Sequence, residues 1–230
     1  MEQRKIWDHF QTDHFAKNLF AGAFPRYKAI SREVASGDRV LNIGVGYGGL
    51  EEMLLSMQGV IVYSLDPSDG AIALLREAHC IGDRAVVGFS QDIPWSHSFF
   101  DVVVMSEVLE HLDVDDYRKT LYEVFRVLRP GGKFVFTVPA EENIQENFVV
   151  CPCCGVKFHR WGHVQSFTDH RIRSDILPLF NFMHLLRRNF SDWRLLNWKG
   201  KALWLMKRFL RAAGVKGAGE TFFVVAQKPL

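Results

Sequence analysis

The sequence predicts an α/β protein, a mostly parallel sheet covered by helices. Short apolar runs alternate with helical patterns along most of its length, the order expected of βα units. The first of these runs ends in a glycine turn that opens an amphipathic segment. End signals separate the units: Ser68 can cap one helix, and Arg129-Pro130-Gly131-Gly132 can stop another. With 230 residues, 48% of them hydrophobic, the chain can bury a substantial core as one domain over residues 1–230.

In chain order, an N-terminal helical region (1–36, with its pattern over 9–35) precedes the sheet. Strands are expected at 39–43, 60–65, 85–89, 100–105 and 133–138, and helices at 49–57, 68–78 and 115–128. A Cys/His-rich insertion fills the irregular stretch 140–166. A helix at 169–177, a strand within 181–189, a basic helix at 201–212 and a last strand at 221–227 follow. There is no internal repeat and no low-complexity linker.

The net charge of +2 hides an excess of Arg and Lys after Ser166, which can meet an anionic partner. The first ten residues carry both signs of charge without a signal-peptide core, and no run approaches the roughly 20 apolar residues of a membrane span. A soluble cytoplasmic protein is expected. Cys151, Cys153 and Cys154 crowd together as a thiolate site would, not as a disulfide framework. Cys80 reads as a buried thiol.

Gly44, Gly46 and Gly48 remove the Cβ atoms that would keep a sharply turning backbone away from a ligand. A dinucleotide fingerprint puts its third glycine three positions after the second; here the gap is two, which favours a cofactor without pyrophosphate. Glycines also punctuate ordinary loops, so the turn alone defines no site. Asp66 ends the second strand about 20 residues on, where a ribose-binding carboxylate stands; as an ordinary residue, Asp66 with Pro67 starts a turn. Gln91-Asp92-Ile93-Pro94 follows the third strand, where Asp92 can accept from an adenine amine.

These blocks resemble a class I S-adenosylmethionine-dependent methyltransferase of the small-molecule type. The resemblance rests on Leu41-Asn42-Ile43-Gly44-Val45-Gly46-Tyr47-Gly48, Ser64-Leu65-Asp66-Pro67, Gln91-Asp92-Ile93-Pro94-Trp95, the run from Phe99 through Met105-Ser106-Glu107 to Glu110-His111-Leu112, and Val127-Leu128-Arg129-Pro130-Gly131-Gly132-Lys133-Phe134. Together they cover residues 40–139. The resemblance implies a Rossmann-like fold with a seven-stranded, mostly parallel sheet and helices on both faces. It also implies S-adenosylmethionine as cofactor, held by Asn42, Gly44, Gly46, Gly48, Asp66, Pro67, Gln91, Asp92, Ile93 and Ser106. Family members usually carry Asp or Glu where this chain has Asn42, an amide that keeps an acceptor but loses a charge.

The reaction so implied is an in-line displacement: an acceptor nucleophile attacks the methyl carbon of a sulfonium, and the leaving group departs neutral. Holding the two in line in a dry pocket supplies about several kcal/mol. For an oxygen nucleophile the candidate bases are His111, after the fourth strand, and His163, in a segment that resembles a His-containing stretch of related small-molecule methyltransferases. Against this, Glu110-His111-Leu112 recurs in members with diverse substrates, so His111 also reads as a residue packing over the cofactor. Glu107 can orient substrate.

In the insertion, Cys151 and Cys154 have C-x2-C spacing and His159 and His163 form an H-x3-H pair. Four such ligands within 13 residues can close a tetrahedral Zn2+ and order the loop. Cys153 can replace one histidine, and a ligating His163 is not a base. A closed site implies structural zinc that shapes the acceptor pocket. Without metal, the insertion is a loop covering substrate.

Trp204, Leu205, Met206, Phe209 and Leu210 interleave with Lys201, Lys207, Arg208 and Arg211. Such a helix rests on a membrane surface, covers an anionic acceptor, or simply packs on the sheet. No nucleic-acid partner is expected, and the Asn-Pro-Pro-Tyr tetrapeptide of amino-methylating enzymes is absent. The expected acceptor is a small or lipid-linked metabolite, a glycan intermediate included. Two rivals are a nicotinamide-dependent oxidoreductase and a non-catalytic, zinc-stabilised binding protein on the same fold, which Asn42 keeps open.

Overall fold

In the computed structural model, which describes residues 21–212 and 219–230, the sheet grows outward from β1 (Arg39–Ile43). β1 pairs in parallel with β2 (Ile61–Asp66) on one side and β4 (Phe100–Ser106) on the other. β3 (Ala85–Val87) extends it beyond β2, and β5 (Leu128–Pro139) beyond β4, again in parallel. β9 (Thr221–Gln227) runs antiparallel to β5 and to β8 (Asn181–Arg188), which completes a seven-stranded sheet in the order β3-β2-β1-β4-β5-β9-β8.

Alternation along the strands feeds two cores. Leu41, Val103, Phe134 and Val224 pack with Leu121 and Val124 of α4 (Val114–Val127) and Ile172 and Ile176 of α5 (Asp169–Ile176). Val40, Val62, Val104 and Val225 face the other way, against Ile30 of α1 (Phe24–Ser31) and Leu50 and Leu54 of α2 (Gly49–Leu55). Because helices cover both faces, the strands read as continuous apolar runs. α3 (Asp69–His79) packs Ala71, Ile72 and Leu75 against Val45 and Ala85. Ser68 caps it as expected, its Oγ accepting the Ala71 N–H at 3.2 Å.

Several expectations shift. Leu128 enters β5 directly from α4 and pairs with Phe100; the register then slips so that Lys133 faces Val102. Arg129-Pro130-Gly131-Gly132 therefore bulges inside the strand instead of preceding it, with Gly131 at φ 74°. Within 140–166 lies a short hairpin, β6 (Phe148–Val150) with β7 (Lys157–His159). Cys80 is exposed, not buried: it closes α3 with a left-handed backbone at φ 52°.

Of the N-terminal helical region, α1 and the 3-10 turn Ala21–Ala23 are seen; residues 1–20 lie outside the described residues. The basic helix appears as α6 (Trp198–Ala212), though the side chains of Lys207, Arg208, Leu210 and Arg211 also lie outside the described set. Among the described residues no helix is long and apolar enough to cross a membrane.

Candidate active site

β1 and β4 are neighbours whose connections diverge to opposite sides of the sheet, and a crevice forms beyond their C-terminal ends, as at other points where strand order reverses. A cavity of about 770 Å3 lies here. Of the residues singled out from the sequence, Asn42, Gly44, Gly46, Asp66, Pro67, Gln91, Ser106, His111 and His163 line it.

The glycine turn leaves no room for side chains at two of its positions. Gly44 has φ 86°, and a Cβ there would sit 2.5 Å from Cγ2 of Val108. Gly48 is not part of the lining; at φ 74° it starts α2, and a Cβ would sit 2.8 Å from Leu75 Cδ1 of α3. Its role is to let two helices approach. Asp66 is held by backbone donors, Oδ2 accepting from Val45 N at 2.9 Å and Oδ1 from Ser68 N at 2.9 Å. A carboxylate oxygen accepts more than one hydrogen bond, so the same group can also receive ribose hydroxyls.

Besides Gly48, two further expected contacts are not brought to the cavity. Ile93 is in the core, and its backbone is pinned by α4: its N–H donates to Glu123 Oε2 at 2.8 Å and its carbonyl accepts from Arg126 Nη2 at 2.8 Å. That fixed turn leaves Asp92 exposed to solvent. The loop instead presents Gly88, Phe89, Ser90 and Gln91.

Glu51 was not legible as a site residue. It is fully buried on α2, where its Oε1 accepts from Asn42 Nδ2 at 2.7 Å and from Ser64 Oγ at 3.0 Å. Burial raises its carboxyl to about 7. Asn42 Oδ1 is buried without a hydrogen-bond partner among the described residues, an orphaned acceptor in the wall of the cavity.

At the other end of the cavity, the segment 162–165 is laced to the 3-10 turn Leu109–His111. Val164 N donates to Glu110 O at 2.9 Å, and Gln165 Nε2 to Leu109 O at 2.9 Å and Leu112 O at 2.8 Å. His111 Nδ1 donates to Gly162 O at 3.2 Å, and its ring centre lies 4.7 Å from that of His163. His163 Nδ1 bonds Glu142, which also has His159 Nε2 3.4 Å from its Oε1.

The electrostatics follow from crowding. Burial, then the charge of His163, lowers His111 to about 3, so this imidazole is neutral at ordinary pH. Burial, then Glu107, pushes Glu110 well above the usual carboxylate range. Burial works to raise Glu142, but His163 and His159 outweigh it and hold the carboxylate low. Glu107 sits at φ 58°, a backbone conformation unusual for a residue with a side chain and typical of functional sites.

The Cys2His2 set does not converge. Cys151, Cys153 and Cys154 form the turn of the β6–β7 hairpin, while His159 pairs with Phe148 at its far end. Three strand residues separate them, about 10 Å of chain. His159 and His163 meet Glu142 instead, and among the described residues no metal-competent group contains a cysteine.

Residues 41–136 match the family described as methyltransferase domain. Match and fold point the same way: the matched stretch carries the core of a mostly parallel seven-stranded sheet of the Rossmann-like kind found in methyltransferase structures. Among curated proteins, the chain is 30% identical to sarcosine/dimethylglycine N-methyltransferase of Halorhodospira halochloris over 55% of its own length and 47% of that protein's. It is 38% identical to fatty-acid O-methyltransferase of Mycolicibacterium smegmatis over 44% of its length and 37% of that protein's. The matched stretch thus spans half or less of these relatives. The fold also resembles the N-methyltransferase NodS from Bradyrhizobium japonicum in complex with S-adenosyl-L-homocysteine, with a TM-score of 0.68, 15% identity and full coverage of both chains.

Proposed function

We propose that this protein transfers a methyl group from S-adenosylmethionine to a small-molecule acceptor. The observation that carries the reading is that one cavity contains both the glycine turn with Asp66 and, at its other end, the His111–His163 wall. The residues fit the cofactor: Gly44 and Gly46 allow close backbone approach, Asp66 suits the ribose hydroxyls, and the orphaned Asn42 Oδ1 suits an ammonium donor. Gly88 to Gln91 line the same cavity and suit the adenine base. When bound, S-adenosylmethionine supplies an electrophilic methyl carbon. The chain's contribution is to hold the acceptor in line with it, exclude water, and receive the acceptor's polar group against His111 and His163.

Glu51 beside Asn42 supports this reading over a non-catalytic scaffold, because the carboxylate missing at position 42 is supplied one helix away. The glycine spacing argues against a nicotinamide enzyme. As the finer reading, the acceptor is a small or lipid-linked metabolite. α6 leaves Trp198, Leu203 and Phe209 exposed beside Lys199, a face suited to peripheral membrane contact. Cosedimentation with anionic vesicles tests this, and no binding removes the lipid-linked option. The thiols of Cys151, Cys153 and Cys154 form no disulfide, which fits a reducing cytoplasm.

Titration calorimetry with S-adenosylmethionine and S-adenosylhomocysteine tests the core of the proposal. Wild type is expected to bind both and Asp66→Ala neither. A well-folded wild type that binds neither overturns it.

A further inference from the structure

Two clusters at the acceptor end bring metal-ligating atoms within 4.8 Å of one another: Glu110 with His111 and His163, and Glu142 with His159 and His163. Hydrogen bonding separates them. His159 Nδ1 accepts backbone N–H groups from Trp161 at 3.3 Å and His163 at 3.0 Å. Its proton therefore sits on Nε2, toward Glu142, and that nitrogen has no lone pair to give. At 3.4 Å from Glu142 Oε1 it makes no hydrogen bond, and the second cluster supports His163 through Glu142 and through His159 Nδ1.

The first cluster has the opposite polarity. A carbonyl only accepts, so His111 Nδ1–H donates to Gly162 O; a carboxylate oxygen likewise accepts, so His163 Nδ1–H donates to Glu142. In both rings the lone pair falls on Nε2. Histidines whose Nδ1–H is fixed by a carbonyl or carboxylate are oriented as metal ligands are. Glu110 supplies the third group. It is fully buried, both its oxygens lack a hydrogen-bond partner among the described residues, and Oε1 lies 4.0 Å from His111 Nε2. Glu107 stands on the same wall, with a buried oxygen also lacking a partner. Arg26 lines the cavity too and offsets part of this negative charge. Buried polar groups left unbonded cost about 1–3 kcal/mol each, so the orphaned acid oxygens of Glu110 and Glu107 call for a cation.

We propose that Glu110, His111 and His163 bind one divalent cation of the Mn2+, Fe2+ or Zn2+ kind, with open positions for the oxygen of a hydroxyl-bearing acceptor. Two imidazoles and one carboxylate suit such borderline metals, and the open positions distinguish the site from a closed structural zinc. The role in catalysis rests on the methyl-transfer reading; metal binding itself does not. The cation acidifies the acceptor hydroxyl. The O–H bond breaks and its proton leaves to water, an oxygen lone pair forms the bond to the methyl carbon, and the C–S bond breaks with its electron pair passing to sulfur. His163 then acts through the cation and is not a free base.

The test titrates chelator-stripped full-length protein with Mn2+ alone and with Zn2+ alone, reading Mn2+ by electron paramagnetic resonance and bound metal by elemental analysis. Wild type and the Cys151→Ser/Cys154→Ser double variant are expected to bind one equivalent per chain. Glu110→Gln, which preserves the shape of the buried side chain, and His163→Ala are expected to lose at least about tenfold in affinity. Circular dichroism checks folding, and if one variant fails to fold the other decides. Absence of binding by wild type, unchanged affinity in a folded variant, or loss of binding in the cysteine double variant overturns the proposal. Calorimetry of the stripped protein with S-adenosylhomocysteine keeps the two readings apart: cofactor binding that persists without metal leaves the methyl-transfer reading standing whatever the metal result.

Discussion

Asn42 and Glu51 are joined by a buried hydrogen bond of 2.7 Å, and the pair has a titration signature. Burial holds the Glu51 carboxyl at about 7 in the folded protein, against about 4.3 in an unfolded chain. A raised carboxyl favours the neutral form, so its contribution to stability is full below about 4.3 and is lost as pH rises through about 7. Wild type should therefore lose melting temperature between about pH 5 and pH 8 relative to Glu51→Gln, which imitates the neutral acid; parallel curves would show that Glu51 ionises at its ordinary value. At Gly44, a Cβ meets Val108 Cγ2 at 2.5 Å from a left-handed backbone. Gly44→Ala should cost about 1–3 kcal/mol in urea melts and weaken cofactor binding in calorimetry. Unchanged binding would show that the turn does not contact the cofactor. The glycines and Asp66 were legible because their chemistry is local. Glu51 and Glu142 were not, because each acquires its role from a partner brought by another element: Asn42 on β1 for one, His163 beyond the hairpin for the other.

Elements act here by pinning loops. Arg126 of α4 grips Glu123 with two bonds of 2.7 Å and reaches the carbonyls of Trp95 and Ile93 at 2.8 Å each. This pair holds the turn whose upstream arm, Gly88 to Gln91, lines the cavity. Arg126→Ala should destabilise the protein by about 1–3 kcal/mol, the cost of two carbonyls and a carboxylate left without their donor, and raise the S-adenosylhomocysteine dissociation constant several-fold. If stability falls and affinity does not, the loop is structural only. The same pinning keeps Asp92 and Ile93 out of the cavity lining, although they follow a strand as the pattern requires: α4 holds the backbone of Ile93. The hairpin misled for a related reason, since ligand spacing along the chain ignores the strands that carry Cys151 and His159 to opposite ends.

Over the whole molecule, stability should be graded. β1, β4 and β5 are covered on both faces, whereas α6 exposes Trp198 and Phe209; in hydrogen exchange the three strands should be the last to open and α6 among the first. Saturation with S-adenosylhomocysteine at about a hundred times its dissociation constant adds about 2.7 kcal/mol. At about 2–4 °C per kcal/mol for a chain of this size, the melting temperature should rise by roughly 5–10 °C, with no rise in Asp66→Ala. A shift retained in that variant would place the ligand elsewhere. The sequence by itself determined the class and the order of the elements, because apolar periodicity, caps and glycine turns act over a few residues, and the strands at 39–43 and 221–227 lie where the pattern put them. Only the tertiary structure decided which acids and histidines face one another. That depends on the antiparallel return of β9, on the hairpin, and on the lacing of residues 162–165 to the turn after β4, contacts between residues some 50 positions apart that no local pattern encodes.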